Sequence, residues 1–234
     1  MIKIDKVEQL VDITEYEGAL TTSPQEDYQF IKLDCDSKKA VIRTNVGKAN
    51  HEDGLNYGAS IPQVRTFNKL QLQTLKLKLI KNNSIEFCVD VINKYKIYEF
   101  DNEKLFNAFR NAGRKLGILV PNRGRSRVDD DIVENGICYR DIQLSQTMGK
   151  EVTYKFYDKS RHWIQKDKID IGYQVYRFEI KFNASMLNTK GFKDNSFKLK
   201  AKAFLEQWKF ELGKVSKSNK KERDLIDSFL NELI

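Results

Sequence analysis

A tyrosine and two lysines lie close together in residues 151–163, which read EVTYKFYDKSRHW. Side chains alternate across a β-strand, so Lys155 and Tyr157 share one face of this stretch. Tyr154 and Phe156 share the other face, which is apolar. A tyrosine can attack phosphorus and hold a covalent phosphotyrosine, and a nearby cation neutralises the charge that develops on the phosphate. The spacing therefore suits phosphate chemistry that uses a tyrosine.

A second strand pattern, VYRFEIKF at residues 175–182, carries an arginine and a glutamate on one face. The apolar rows of the two strands must share a side if the sheet is to have a core. Arg177 and Glu179 then fall on the same face as Lys155 and Tyr157. A carboxylate in that position can hold a divalent metal ion that polarises a phosphate. The alternative is a solvated outer face with cross-strand ion pairs, which any antiparallel sheet can have.

The elements that must position these side chains are predicted to form an α+β fold. It would have a mostly antiparallel β-sheet, helices packed on one face and a helical C-terminal tail. Alternating apolar residues predict strands over 28–33, 40–46, 74–80 and 84–90. The polar residues 81–83 predict a turn that joins the last two strands into a hairpin. Apolar residues at helical spacing predict helices over 101–116, 197–212 and 219–233. We expect residues 1–190 to form one domain and residues 191–234 a basic helical segment packed on it.

The overall charge is positive, because the 234 residues include 41 lysines and arginines but 33 aspartates and glutamates, a net charge of +8. Such proteins commonly bind DNA, RNA or an anionic membrane, and a lysine-rich composition without such a partner is the alternative. Cys35, Cys88 and Cys138 lie far apart, which argues against zinc and disulfides and favours a reducing compartment. No apolar run reaches the roughly 20 residues of a membrane span, and the N-terminus lacks a signal-peptide pattern. We therefore expect a cytoplasmic protein with no membrane partner.

Basic residues cluster in several segments. Three arginines lie within five residues of a glycine-containing loop, a density that favours phosphate contact. Other basic residues lie on the polar faces of the predicted helices, where a solvated amphipathic surface is the alternative reading. The candidate nucleic-acid-binding residues are Arg123, Arg125, Arg127, Arg110, Arg114, Lys198, Lys202 and Lys155.

The stretches YKFYDKS and YRFEIKF resemble the tyrosine–aspartate–lysine strand and the arginine–phenylalanine–glutamate strand of rolling-circle replication initiators. These proteins are the nicking enzymes of filamentous phages and small plasmids. Residues 83–118 are similar to the segment that precedes the catalytic strands in the phage-type initiators, and RSRVDDDIVENG at 125–136 resembles their R-[IV]-D motif. The order of the motifs adds to the resemblance, which covers about residues 75–185.

The resemblance implies a metal-dependent, site-specific endonuclease and strand transferase that acts on single-stranded or origin DNA. Its tyrosine would keep the 5′ phosphate and leave a 3′ hydroxyl for priming, with Mg²⁺ or Mn²⁺ as the cofactor. The matching positions are Tyr157 with Lys159 in the tyrosine element, Glu179 and Asp129 as acidic metal ligands, and Arg177 and Arg127 beside them. Tyr139 is a rival nucleophile, since the family carries other tyrosines before this strand, whereas Tyr154 is expected in the core.

Two departures from the family pattern favour a shortened or divergent member. Many initiators hold their metal with two histidines separated by one hydrophobic residue, but this chain has only His51 and His162. The interval from Asp129 to Tyr154 is also short for the family. An alternative function is therefore a catalytically inactive accessory protein of a mobile element, which binds DNA or RNA or inhibits a host nucleic-acid enzyme. His162 and Trp163 are expected at the surface, in the turn between the two strands.

Overall fold

The computed structural model describes residues 2–18, 28–46, 58–92, 102–117, 127–134, 137–148, 152–184, 187, 194–215 and 220–234. Within these ranges, the side chains at the following positions lie outside the description: 102, 103, 106, 127–134, 137–148, 165–167, 194–196 and 215.

The described residues form eight strands and five helices. The strands are β1 (Lys3–Asp12), β2 (Tyr28–Asp34), β3 (Lys39–Thr44), β4 (Lys78–Ile92), β5 (Arg127–Glu134), β6 (Ile137–Met148), β7 (Val152–Asp158) and β8 (Val175–Asn183). The helices are α1 (Ile61–Thr74), α2 (Asn102–Lys115), α3 (Lys159–Asp167), α4 (Asp194–Val215) and α5 (Lys220–Glu232).

Contacts divide the chain into two compact units, each built from separate segments. The site unit contains Val89–Ile180 and Lys193–Ile234, and the N-terminal unit contains Ile2–Cys88 and Lys181–Phe192. The strand order is β4-β8-β7-β6-β5 in the site unit and β2-β3-β1-β4 in the N-terminal unit. The predicted division at residue 190 stays a prediction.

Antiparallel pairing dominates both units. In the N-terminal unit β1 pairs antiparallel with β3 and β4, and β2 pairs antiparallel with β3. In the site unit β6 pairs antiparallel with β5 and with β7. The structure therefore confirms the predicted α+β class with a mostly antiparallel sheet.

The N-terminal unit buries the apolar side of its strands. Val11, Phe30 and Ile42 form a core cluster with further small and aliphatic residues. Helix α1 begins at a capping box in which Ser60 and Gln63 each accept a hydrogen bond from the other's backbone N–H. Such a box satisfies backbone donors that the first helical turn leaves without partners.

In the site unit, helices α4 and α5 cover one face of β7 and β8. Tyr154 stacks on Phe204 of α4, with 4.5 Å between the ring centroids. Phe156 packs against Trp208 of α4 at 4.9 Å and against Phe229 of α5 at 6.0 Å. These aromatic contacts leave the opposite face of the two strands for the odd-numbered residues.

The predicted helices over 101–116, 197–212 and 219–233 are confirmed as α2, α4 and α5, although Asp101 and Asn219 lie outside the described residues. The predicted hairpin over 74–90 is wrong. Residues 78–92 form the single strand β4, and residues 81–83 stay within it instead of turning. The pairing of β4 with β1 shifts register near Lys81 and Asn82, so irregularities of the ladder accommodate these polar residues.

Candidate active site on strands β7 and β8

The odd-numbered residues of β7 and β8 form the candidate site. The two strands are neighbours in the sheet, and their even-numbered residues are taken up by the core under α4 and α5. The pleat therefore places Lys155 and Tyr157 of β7 beside Arg177 and Glu179 of β8. All four were predicted to share a face, and the structure brings them together.

A hydrogen bond joins the phenol of Tyr157 to the carboxylate of Glu179. Tyr157 Oη donates to Glu179 Oε1 over 2.5 Å. Tyr157 is only 7% exposed and Glu179 only 1% exposed. A carboxylate at this distance from a phenol is within reach to accept its proton.

Two cations flank the same carboxylate. Lys155 Nζ lies 3.3 Å from Glu179 Oε2, and Arg177 Nη1 lies 4.0 Å from Glu179 Oε1. Cross-strand ion pairs were the expected alternative to a catalytic site, but a solvated outer face would leave these side chains exposed. Instead Arg177 is fully buried, so the cluster carries its charges in a largely dry environment.

Asp90 of β4 holds Arg177, a role that the sequence did not indicate. Arg177 Nε donates to Asp90 Oδ1 over 2.5 Å, and Nη2 donates to Asp90 Oδ2 over 2.6 Å. This two-point geometry fixes the guanidinium plane as well as its charge. Alternation along β4 put Asp90 opposite the apolar row, but no sequence signal pairs β4 with β8, 87 residues away.

Helix α3 begins immediately after β7 and adds a further cation and a histidine near Tyr157. Lys159 Nζ lies 5.8 Å from the centroid of the Tyr157 ring and 5.5 Å from that of the Trp163 ring. The His162 ring lies 5.8 Å from the Tyr157 ring, centroid to centroid. The sequence placed His162 and Trp163 at the surface, but Trp163 is fully buried, because this segment folds as a helix and not as a turn.

Asp158 begins helix α3 and links it to β8. Its carboxylate accepts from the backbone N–H of Arg161 over 3.0 Å and from Gln174 Nε2 over 2.7 Å. Burial raises the pKa of Asp158 above its ordinary value, although the hydrogen bonds from Arg161 and Gln174 oppose this shift. A buried N-cap of this kind fixes where the strand ends and the helix starts.

Two other tyrosines of β7 and β8 lie on the core side, as the sequence predicted for Tyr154. Burial raises the pKa of Tyr154 to about 12. Burial is also the main cause of the raised pKa of Tyr176, whose hydroxyl lies 2.9 Å from Gln174 Nε2. Neither phenol ionises readily, so neither is suited to act as a nucleophile.

The other predicted catalytic and metal residues lie in strands whose side chains are outside the description. Asp129 of β5 pairs with Asp141 of β6, and Arg127 pairs with Gln143. Tyr139 of β6 pairs with Ile132 of β5. Arg123 and Arg125 lie outside the described residues altogether. The roles assigned to these residues stay predictions.

The remaining predicted nucleic-acid contacts lie on helices α2 and α4. Arg114 is exposed on α2 and Arg110 is half-buried. Lys202 is exposed on α4, where its Nζ lies 3.8 Å from Glu206 Oε1, and Lys198 is half-buried. Because α4 covers the face of β7 opposite Tyr157, its lysines do not join the cluster around that residue.

The predicted metal requirement rests on Glu179 and Asp129. A carboxylate oxygen is the ligand type that Mg²⁺ and Mn²⁺ prefer, and Glu179 supplies one within the cluster. The side chain of Asp129 is not described, so the second ligand, like the identity of the metal, stays a prediction.

Neither a protein-family model nor a curated protein sequence matches this chain. Among solved structures, it is similar to a rolling circle replication initiator protein from Geobacillus stearothermophilus. The sequence identity is 10% and the TM-score is 0.32, over 78% of this chain and 75% of that chain. Since both values are low, the function proposed below rests on the geometry of the cluster. No helix in the described part of the chain is long and apolar enough to span a membrane.

Proposed function

We propose that this protein is a metal-dependent nickase that initiates rolling-circle DNA replication of a phage or plasmid. The observation that carries the proposal is the 2.5 Å hydrogen bond from Tyr157 to Glu179, flanked by Lys155 and Arg177. These residues supply the groups that a phosphotyrosine mechanism needs: a nucleophile, a proton acceptor and cations. The substrate would be single-stranded or origin DNA in the cytoplasm.

In the proposed reaction, Glu179 accepts the Oη proton while Tyr157 attacks the phosphorus of the scissile phosphodiester. The bond from phosphorus to the 3′ oxygen breaks, the tyrosine keeps the 5′ phosphate, and the 3′ oxygen takes a proton from water to become the primer hydroxyl. Lys155 and Arg177 offset the negative charge on the phosphoryl oxygens. Lys159, whose Nζ lies 5.8 Å from the centroid of the Tyr157 ring, adds a further positive charge near the phenol. A divalent metal ion held by Glu179 and Asp129 would polarise the phosphate.

Burial of the cluster favours a second candidate function. Tyr157, Arg177 and Glu179 are each less than a tenth exposed, so a phosphodiester reaches the phenol only if the surrounding chain moves. A descendant that kept the fold for binding, without cleavage, needs no such movement. It would bind DNA or RNA, or inhibit a host nucleic-acid enzyme.

The test is to incubate the purified protein with labelled single-stranded DNA from its own replicon, with and without manganese, and to separate the products on a denaturing gel. The nickase predicts a metal-dependent protein–DNA band. A salt-sensitive shift on a native gel without this band would support the binding protein instead.

Variants test the assignment of the residues. Tyr157→Phe and Glu179→Gln should each lower the yield of adduct by about a thousandfold or more, as expected for members of one catalytic unit. Tyr154→Phe, a buried tyrosine of the same strand, is the matched control and should keep the adduct. Full cleavage by both site variants would refute the assignment.

A further inference from the structure

Helix α4 has a second apolar face that nothing in the described structure covers. Its inner face is buried and includes Phe204 and Trp208, which contact β7. On the opposite side Leu199 is 71% exposed and Phe210 is 59% exposed. An amphipathic helix that only supports a core has polar residues at such positions.

The two exposed apolar residues lie on one line along the helix. They are eleven residues apart, which is about three turns and about 16 Å along the axis. Ala203, also exposed, lies between them at a spacing of four residues from Leu199. We call the surface formed by Leu199, Ala203, Glu206 and Phe210 the outer face of α4.

Lysines flank the outer face on both sides. By helical spacing, Lys198 and Lys202 lie on one flank, and Lys200 and Lys214 lie on the other. The Lys214 ammonium lies 4.2 Å from the centroid of the Phe210 ring, although it also contacts Glu211 at 3.0 Å. A cation therefore lies over one face of this exposed aromatic ring.

We propose that the outer face of α4 binds single-stranded nucleic acid, with a base stacked on the face of the Phe210 ring away from Lys214 and phosphates held by Lys200 and Lys214. Stacking of bases on exposed aromatic rings, together with flanking cations, is the general way in which proteins hold single strands. The inference deepens the proposed function and rests on it for the class of ligand. It does not depend on cleavage, because α4 covers the face of β7 opposite Tyr157.

The flanking charge and the spacing of the apolar side chains favour this ligand over the two other occupants of such a face. A second copy of the chain would bring flanks of the same sign together, which costs free energy. A membrane surface would need a continuous apolar stripe, but here Glu206 lies between the two large apolar side chains and only 3.8 Å from Lys202. A base needs one ring and one nearby cation, and Phe210 with Lys214 provides both.

The experiment measures the Kd of the full chain for labelled oligothymidylate by fluorescence anisotropy at several salt concentrations. Phe210→Ala should raise the Kd about tenfold, because it removes the ring on which a base stacks. The slope of log Kd against log salt should not change, because no phosphate contact is lost.

Phe210→Tyr should bind as the wild type does, and Phe210→Leu should not. Lys200→Gln should reduce the slope by about 0.7.

Leu70→Ala is the matched control, because Leu70 is an apolar residue of α1 with a similar exposed fraction, 58%. It should leave the Kd unchanged. Unchanged binding by Phe210→Ala would overturn the inference, and so would a wild-type protein that does not bind the oligonucleotide. Loss of self-association in Phe210→Ala on sedimentation, with unchanged Kd, would assign the face to a second copy. Loss of binding to phosphatidylserine vesicles, again with unchanged Kd, would assign it to a membrane.

Failure of the nickase proposal is distinguishable from failure of this inference. A wild-type protein that forms no covalent adduct but shows the Phe210 effect on Kd would refute cleavage and support the outer face. If the wild-type protein forms the adduct and Phe210→Ala leaves the Kd unchanged, the result would support cleavage and refute the outer face as a binding surface.

Discussion

At the scale of single residues, the carboxylate of Glu179 is the group around which Tyr157, Lys155 and Arg177 lie. Its Oε1 lies 2.5 Å from the Tyr157 hydroxyl, and its Oε2 lies 3.3 Å from the Lys155 ammonium. Arg177 Nη1 lies 4.0 Å from the same carboxylate, and Asp90 accepts hydrogen bonds from Nε and Nη2 of the same guanidinium. Glu179 is only 1% exposed, so removing Tyr157, Lys155 or Arg177 takes a hydrogen bond or an ion pair from a buried carboxylate, which costs free energy.

Asp90→Ala should lower the free energy of unfolding by about 3–5 kcal/mol, because it removes both charge-assisted hydrogen bonds that Asp90 accepts from the fully buried Arg177. Urea unfolding followed by circular dichroism measures this change. Asp36→Ala, at an exposed aspartate, is the control and should change it by less than about 0.5 kcal/mol. An equal, small effect of both substitutions would mean that the Asp90–Arg177 pair does not stabilise the fold.

The sequence predicted the membership of the cluster but not its surroundings. Alternation along β7 and β8 is a local property, so the shared face of Tyr157 and Glu179 could be deduced without a structure. The contact of Asp90 with Arg177 and the burial of Arg177 depend on which strands become neighbours. That choice is made by tertiary packing, about which the strand patterns carry no information.

At the scale of elements, the packing of α4 on β7 produces a pH dependence that can be measured. Burial raises the pKa of Tyr154 from 10.0 to about 12. Between these values the unfolded chain loses the proton while the folded protein keeps it, so the free energy of unfolding falls as pH rises. Two pKa units correspond to about 2–3 kcal/mol.

Tyr154→Phe should remove this part of the alkaline loss of stability. Urea unfolding of the wild type and the variant between pH 9 and about 12 checks it, because the free energy of unfolding of the variant relative to that of the wild type should rise by about 2–3 kcal/mol over this range. Tyr173→Phe, at an exposed tyrosine, is the control and should follow the wild type. A constant difference between Tyr154→Phe and the wild type across this range would contradict the pKa assigned to Tyr154.

Elements with strong local signals were predicted, and those decided by long-range pairing were not. The apolar stripes of α2, α4 and α5 have helical period over several turns, which makes them hard to confuse with strands. Residues 81–83 carry the composition of a turn, but pairing with β1 keeps them in a continuous strand. Helix α3 begins after Asp158, and an aspartate is a common N-cap that the sequence shows. The helix was not predicted, because the strand was expected to continue past Asp158.

At the scale of the whole molecule, the net charge of +8 should make binding of single-stranded DNA strongly dependent on salt. Each phosphate that the protein neutralises contributes about 0.7 to the slope of log K against log salt. Anisotropy titrations at several salt concentrations measure this slope. An affinity that does not change with salt would show that the basic residues do not contact phosphates.

Mapping the covalent adduct is the most direct test of whether Tyr157 attacks DNA. The protein is incubated with single-stranded DNA from its own replicon and manganese, digested with nuclease and protease, and analysed by mass spectrometry. We expect a nucleotide on the peptide that contains Tyr157. A nucleotide on the peptide that contains Tyr139 instead, or on none, would contradict it.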